Sequence, residues 1–231
     1  MIKSLIIGIF FFCQLLVGQD INQFDANNNR HGTWKKYFDG TKQLRYEGQF
    51  DHGKEVGLFK FYTKKSKAQP VATRFFKKES NVVEVKFYSL SGKLISKGNL
   101  VGKERDGVWE FYQKDGKTLL SKEVYSKGVL NGDFEVYYDN GQLSESFTYD
   151  NGLKDGPSKK YAPNKAIIHE VVYVKGKLRG PATYYGADGS VSIKGEYAAD
   201  RKAGLWKYYE GNKLVKEVDY KNWNKPVTIQ Y

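Results

Sequence analysis

Polar and apolar residues alternate along most of this chain, and the alternation restarts every 24 or 25 residues. Leu143, Glu145, Phe147 and Tyr149 share one side of such a stretch, and Ile167, His169, Val171 and Tyr173 repeat it one period later. Period-two patterning in Tyr, Phe, Trp and Val is a strand signal, because successive side chains of a strand point to opposite faces. Turn residues follow each stretch: Asp39-Gly40, Ser91-Gly92, Asp115-Gly116, Asn140-Gly141 and Asp188-Gly189. Asn, Asp and Gly suit the positive φ of tight hairpin turns. Glu210-Gly211-Asn212 and Pro163-Asn164 are looser versions, and Lys64 to Pro70 is a longer, basic loop tip. A second glycine turn closes each unit, as in Tyr149-Asp150-Asn151-Gly152 and Tyr173-Val174-Lys175-Gly176. The pattern predicts an all-β, elongated antiparallel meander of eight tandem hairpins, about sixteen strands in a single-layer twisted sheet. At about 4.8 Å per strand it would span roughly 75 Å. Aromatic pairs between neighbouring strands, at about 0.2–1 kcal/mol each, would stabilise it.

The phase of the repeat is carried by seven glycines: Gly32, Gly57, Gly107, Gly132, Gly156, Gly180 and Gly204. Their spacings are 25, 50, 25, 24, 24 and 24 residues, and Val82 stands where the wide gap lacks its glycine. A fixed period of this length marks a repeat architecture. Counting each glycine as position zero, position five is Tyr37, Tyr62, Phe87, Tyr112, Tyr137, Tyr161, Tyr185 and Tyr209. Position two carries Trp34, Phe59, Trp109, Phe134 and Trp206, with Glu84, Ser158 and Ala182 as departures. The glycine serves either a special backbone conformation or the close approach of a ring. Residues 32–226 then hold eight repeats, 19–31 a polar leader, and 227–231 a closing edge strand entered through Pro226.

The rest of the composition bears on location. Lys3, an apolar run from Leu5 to Val17 and the small Gly18 read as a secretory signal over residues 1–18. The run is shorter than the roughly 20 apolar residues of a membrane span. Its removal would take away Cys13, the only cysteine. The expected location is therefore outside the cytoplasm: periplasm, cell surface or medium. The chain carries 38 basic and 26 acidic residues, a net charge of +12, with lysines scattered through every repeat.

The run Tyr46-Glu47-Gly48-Gln49-Phe50-Asp51-His52-Gly53-Lys54-Glu55-Val56-Gly57 resembles a MORN repeat, and Gly132 to Gly141 looks more like the bacterial variant of that repeat. The resemblance extends from Gly32 to Tyr220. It implies membrane-contact, protein-binding or dimerising modules, some bacterial examples being antitoxin-like, and it brings no catalytic residues.

The residues themselves yield little chemistry. His31, His52 and His169 sit at different phases of the repeat, so no ladder is expected to gather them around a metal. Gly98-Asn99-Leu100-Val101-Gly102-Lys103 is one residue short of a phosphate loop, and Glu104 stands where Ser or Thr is required. The carboxylates Asp39, Asp115, Asp139 and Asp188 belong to turns. The position-two stripe of Trp34, Phe59, Trp109, Phe134 and Trp206 is either an internal packing ladder or a stacking surface for a glycan or peptide. The expectation is an exported, non-catalytic scaffold without cofactor, binding an unidentified protein. A peripheral module on an anionic membrane, or an antitoxin-like or glycan-binding protein, is the alternative. No nucleic-acid partner is expected.

Overall fold

The computed structural model describes residues 20–231, and their regular structure is entirely β. The signal expected over residues 1–18 lies outside the described residues. A two-residue β1 (Gln23–Phe24) precedes the hairpin of β2 (Arg30–Tyr37) and β3 (Leu44–Asp51). The second and third hairpins are β4 (Lys54–Phe61) with β5 (Ala72–Phe76), and β6 (Val82–Tyr88) with β7 (Leu94–Val101). The fourth and fifth are β8 (Glu104–Tyr112) with β9 (Leu119–Ser126), and β10 (Val129–Tyr137) with β11 (Leu143–Asp150). The sixth and seventh are β12 (Leu153–Tyr161) with β13 (Ile167–Val174), and β14 (Lys177–Tyr185) with β15 (Val191–Ala198). The eighth joins β16 (Arg201–Glu210) to β17 (Lys213–Asp219), and β18 (Val227–Gln230) follows. Each strand pairs antiparallel with the next, giving one open sheet of eighteen strands. The leader is not wholly outside this sheet: β1 pairs with β2, and Phe24 sets its ring edge-on against Trp34 at 5.1 Å.

The repeating glycine makes a bulge. Gly32 has φ +73°, and Gly57 and Gly107 have φ +69°, the left-handed region. A Cβ at these three positions would meet nothing within 4 Å, so conformation and not space selects glycine there. Between the pairs Gln49↔Val56 and Glu47↔Lys60, two steps along β3 match four along β4. The same two-against-four slip recurs between β7 and β8, β11 and β12, and β13 and β14. Every such slip adds local bend and twist at a junction between hairpins.

A different set of glycines makes room for rings. Gly48, Gly98 and Gly195 lie on the return strands β3, β7 and β15, and a Cβ on any of them would overlap Phe59, Trp109 or Trp206, respectively. Those three rings are 0–1% exposed, although the sheet has a single layer. Elsewhere the bulk changes sides. Phe147 of β11 faces Ser158 of β12, and Val171 of β13 faces Ala182 of β14, all four buried. One bulky group per junction is enough to fill the bulge, whichever strand supplies it.

The third hairpin corrects the phase read from the spacing. Tyr88 pairs with Leu94, as Tyr112 pairs with Leu119 and Tyr137 with Leu143. Phe87 pairs with Ser96, which matches the pair Phe111↔Ser121 one row inward. Val83 therefore takes the glycine's place instead of Val82, Tyr88 replaces Phe87 at position five, and the buried Val85 replaces Glu84 at position two. The wide connection between β4 and β5 absorbs the extra residue.

Candidate interaction surface

The aromatic stripe runs along one face and supplies much of its core. Phe59, Trp109 and Trp206 are buried, and Trp34 and Phe134 are half-buried. Phe134 stacks on Phe147 with centroids 4.9 Å apart and planes 11° apart. Trp109 Nε1 donates to the Asn99 carbonyl and Trp206 Nε1 to the Glu196 carbonyl, each at 3.0 Å and each beside the platform glycine. The residue two before the repeating glycine closes the face. Arg105 lies 4.6 Å from the Trp109 ring centroid, Lys154 lies 3.7 Å from that of Phe147, and Lys202 lies 4.3 Å from that of Trp206. These cations cover the rings with their own stems and gain from the ring quadrupoles. Of the five position-two aromatics, Phe59, Trp109 and Trp206 are thus enclosed in the packing ladder, while Trp34 and Phe134 keep part of their rings in the open.

The opposite face is organised around charge. Following the register from β2 to β18, one row crosses the whole sheet. It starts Lys35, Glu47, Lys60, Thr73, Lys86, Lys97, Glu110, Lys122 and Glu135. It continues Ser146, Lys159, Glu170, Thr183, Lys194, Lys207, Glu217 and Ile229. Neighbours along it form ion pairs: Lys60–Glu47 at 3.3 Å, Lys97–Glu110 at 2.8 Å, Lys159–Glu170 at 2.6 Å and Lys207–Glu217 at 3.3 Å. The regular alternation of strand side chains, carried across the sheet in fixed register, brings these distant residues into line.

The position-five tyrosines belong to this charged face. Tyr62 donates its hydroxyl to Glu47 at 2.8 Å, Tyr112 to Glu110 at 2.5 Å, Tyr137 to Glu135 at 2.6 Å and Tyr185 to Glu170 at 2.9 Å. Among the described residues, ring–ring contacts run instead through the position-two stripe and its neighbours. Partial burial, reinforced by the Glu135 carboxylate, pushes the Tyr137 hydroxyl up to about 12. Burial works against the Glu110 carboxylate, but Lys97 and Tyr112 together hold it below the usual glutamate value. Tyr37 and Phe87 are exposed, and Tyr161 and Tyr209 are half-buried.

Apolar side chains flank the charge row in the open. Leu58 is 48% and Phe75 41% exposed, and they pair across β4 and β5. With Thr73, Glu84, Lys86 and Tyr88 they line a shallow hollow of about 390 Å³. Val108 and Leu205 occupy the corresponding position beside Glu110 and Lys207 and are likewise exposed. Charge, tyrosine hydroxyls and isolated apolar groups thus share one broad surface.

The histidines are arranged differently from what their phases suggest. His31 and His52 come together at one corner, with ring centroids 4.8 Å apart. His169 stays apart, packed against Tyr184, and burial lowers its pKa. The missing signal is the junction turn, which folds back onto the start of its own hairpin. Gly53 N bonds Arg30 O, Gly128 N bonds Arg105 O and Gly176 N bonds Lys154 O. That contact places the residue before the repeating glycine beside the turn some twenty residues later.

Residues 130–151, which cover nearly all of β10, its turn and β11, match the family model described as MORN repeat variant. No curated protein matches the chain. Among solved structures it is similar to a mutant of S. aureus TarM in complex with fondaparinux, alpha-GlcNAc-glycerol and UDP, at 11% identity over 56% of this chain and 21% of that one, TM-score 0.26. It is also similar to the GtfA/B complex bound to UDP and GlcNAc, at 12% identity over 53% and 22%, TM-score 0.23. TcdB2-TccC3 matches at 12% identity over 91% and 14%, TM-score 0.23. The chain spans 21% and 22% of the first two of these neighbours.

Proposed function

We propose that this hairpin array, of which residues 130–151 are a MORN repeat of the variant type, is an exported, non-catalytic scaffold that binds another protein at the cell envelope. The observation that carries the reading is the charged face. Its rigid cross-sheet row of lysines and glutamates, with Leu58 and Phe75 exposed beside it, is a broad recognition surface on a fixed frame. A partner of mixed charge would gain specificity from the register of the row and affinity from covering the apolar groups. Export rests on the sequence of residues 1–18.

Two measurements test the proposal. Cross-linking in intact cells, with wild type compared against Leu58→Glu/Phe75→Glu/Lys86→Glu, should recover one partner that the variant loses while keeping its fold. Identical cross-linking profiles, or none with either protein, would refute the assigned face. Fractionation with N-terminal sequencing should find a processed chain in the envelope or medium. A chain retaining Met1 in the cytoplasm would refute export.

A further inference from the structure

One corner of the sheet carries two histidines where the corresponding positions of the other hairpins have none. The junction turn after β3 folds over the start of β2, held by Gly53 N donating to Arg30 O at 2.8 Å. His52 sits in this turn at φ +46°, a left-handed conformation that turns its ring toward His31. Asp51 Oδ1 lies 3.8 Å from His31 Nδ1 and 3.8 Å from His52 Nε2. At that length neither contact is a hydrogen bond. One potential ligand atom from each of the three residues lies within 4.8 Å of the other two. Ligands at about 2.0–2.2 Å from a tetrahedral zinc ion stand about 3.3–3.5 Å apart, so the side chains need to close by roughly 1.5 Å or less around an ion. All three are 42–66% exposed, and rotation of the His31 and Asp51 side chains toward His52 can supply that adjustment.

In the neutral ring of His52, Asp25 selects the tautomer that carries its lone pair on Nε2. Asp25 Oδ2 lies 2.6 Å from His52 Nδ1, and the Asp25 side chain is only 8% exposed. Its other oxygen accepts from Asn27 N at 2.9 Å and Asn29 N at 2.8 Å, which fixes the carboxylate in place. A carboxylate on Nδ1 takes that nitrogen's proton as a hydrogen bond and leaves Nε2 as an acceptor aimed at Asp51. The same arrangement orients metal-binding histidines generally. His31 has little competing work. In the sixth hairpin the corresponding residue before the repeating glycine is Asp155, whose carboxylate accepts Lys175 N of the junction turn at 3.0 Å. His31 Nδ1 meets His52 N only at 3.5 Å, the outer limit of such a bond.

We propose that His31 Nδ1, Asp51 Oδ1 and His52 Nε2 bind a divalent transition-metal ion of the zinc type, with Asp25 orienting His52. Two imidazoles and a carboxylate suit zinc, nickel or copper better than calcium or magnesium, which prefer all-oxygen shells. The exposed side of the corner leaves a coordination position for water or for a ligand from another molecule. Binding would tie the leader, β2 and the β3–β4 turn together at the N-terminal end of the array.

The test uses the full chain without a histidine tag, titrated with zinc chloride by calorimetry and with cobalt by visible absorption. The expected result is one ion per chain and the absorption of tetrahedral cobalt. His31→Gln/His52→Asn should weaken binding more than about 100-fold, Asp25→Asn should weaken it about 10- to 100-fold, and His169→Gln should leave it unchanged. Asn is chosen at residue 52 because it tolerates the left-handed backbone. A second measurement needs no substitution: cobalt should shift and broaden the ring resonances of His31 and His52 and leave those of His169. Equal effects on all three rings, undiminished binding by the double variant, or no heat and no absorption with the wild type would each overturn the proposal.

Discussion

Gly98→Ala is the sharpest probe of how a single-layer sheet buries its rings. Gly98 has an ordinary backbone conformation, since its φ is not in the positive region, so the substitution carries no backbone penalty. Its whole cost comes from the added methyl group, which would overlap the Trp109 ring. Trp109 has no easy escape. It is 1% exposed, its Nε1 is bonded to Asn99 O, and Arg105 lies over its other face. Overpacking of this kind costs about 1–3 kcal/mol. At about 2–4 °C per kcal/mol for a chain of this size, the melting temperature should fall by several degrees. Trp109→Ala alone removes the ring and should cost about 3–5 kcal/mol. In that background there is nothing left to overlap, so Gly98→Ala should cost almost nothing. The double-mutant cycle should therefore show a coupling close to the full single-site cost of Gly98→Ala, within the range of about 0.5–3 kcal/mol for residues in contact. Far-UV circular dichroism with thermal and urea melts reads all four proteins. Additive losses, or a Gly98→Ala protein that melts with the parent, would refute the platform account.

Other substitutions separate the remaining contributions. Gly107→Ala should cost about 1–2 kcal/mol through backbone alone, and Trp109→Ala should not relieve it, because a Cβ at Gly107 meets nothing within 4 Å; relief in the melt would contradict the bulge assignment. Tyr137→Ala should cost about 1–3 kcal/mol, and Tyr137→Phe about 1 kcal/mol for the lost bond to Glu135; an unchanged melting temperature for the Ala variant would contradict the tyrosine–glutamate contact. Glu47, Glu110, Glu170 and Glu217 are all held below the ordinary glutamate value of 4.5. A depressed folded-state pKa stabilises above the unfolded value and loses that contribution as pH falls through the folded one. Thermal stability should therefore decline once pH drops below about 4.5, and Glu110→Gln should flatten part of that decline; parallel curves for the two proteins would refute it.

Hairpins, turns and their number are legible from the sequence because strand period and turn chemistry are local. Tyr149-Asp150-Asn151-Gly152 needs no tertiary context to read as a strand running into a turn. The slip at Phe87 was hidden because the β4–β5 connection is wider, and a metronome counted across it drifts by one residue. The burial of Trp109 was hidden for another reason. Periodicity shows that the ring shares a face with its neighbours, and not whether Gly98 and Arg105 enclose it. Lys202 and Arg105, each two residues before a repeating glycine, were the available hint. His31 and His52 are 21 residues apart, and only the fold-back of the junction turn makes them neighbours.

The exchange of bulk between facing strands also limits how such an array can grow or shrink. Hairpins are not interchangeable beads, because the residue presented at a seam varies in size from one hairpin to another. Removing the fourth hairpin would bring Gly98 opposite Phe134, a pairing of the kind already present at Gly48 and Phe59. Removing the seventh would set Val171 against Trp206 with no platform to receive the ring. Duplication and deletion during descent are therefore filtered at the seams. An array of this kind can lose some members without harm, while others must leave together with a neighbour or not at all.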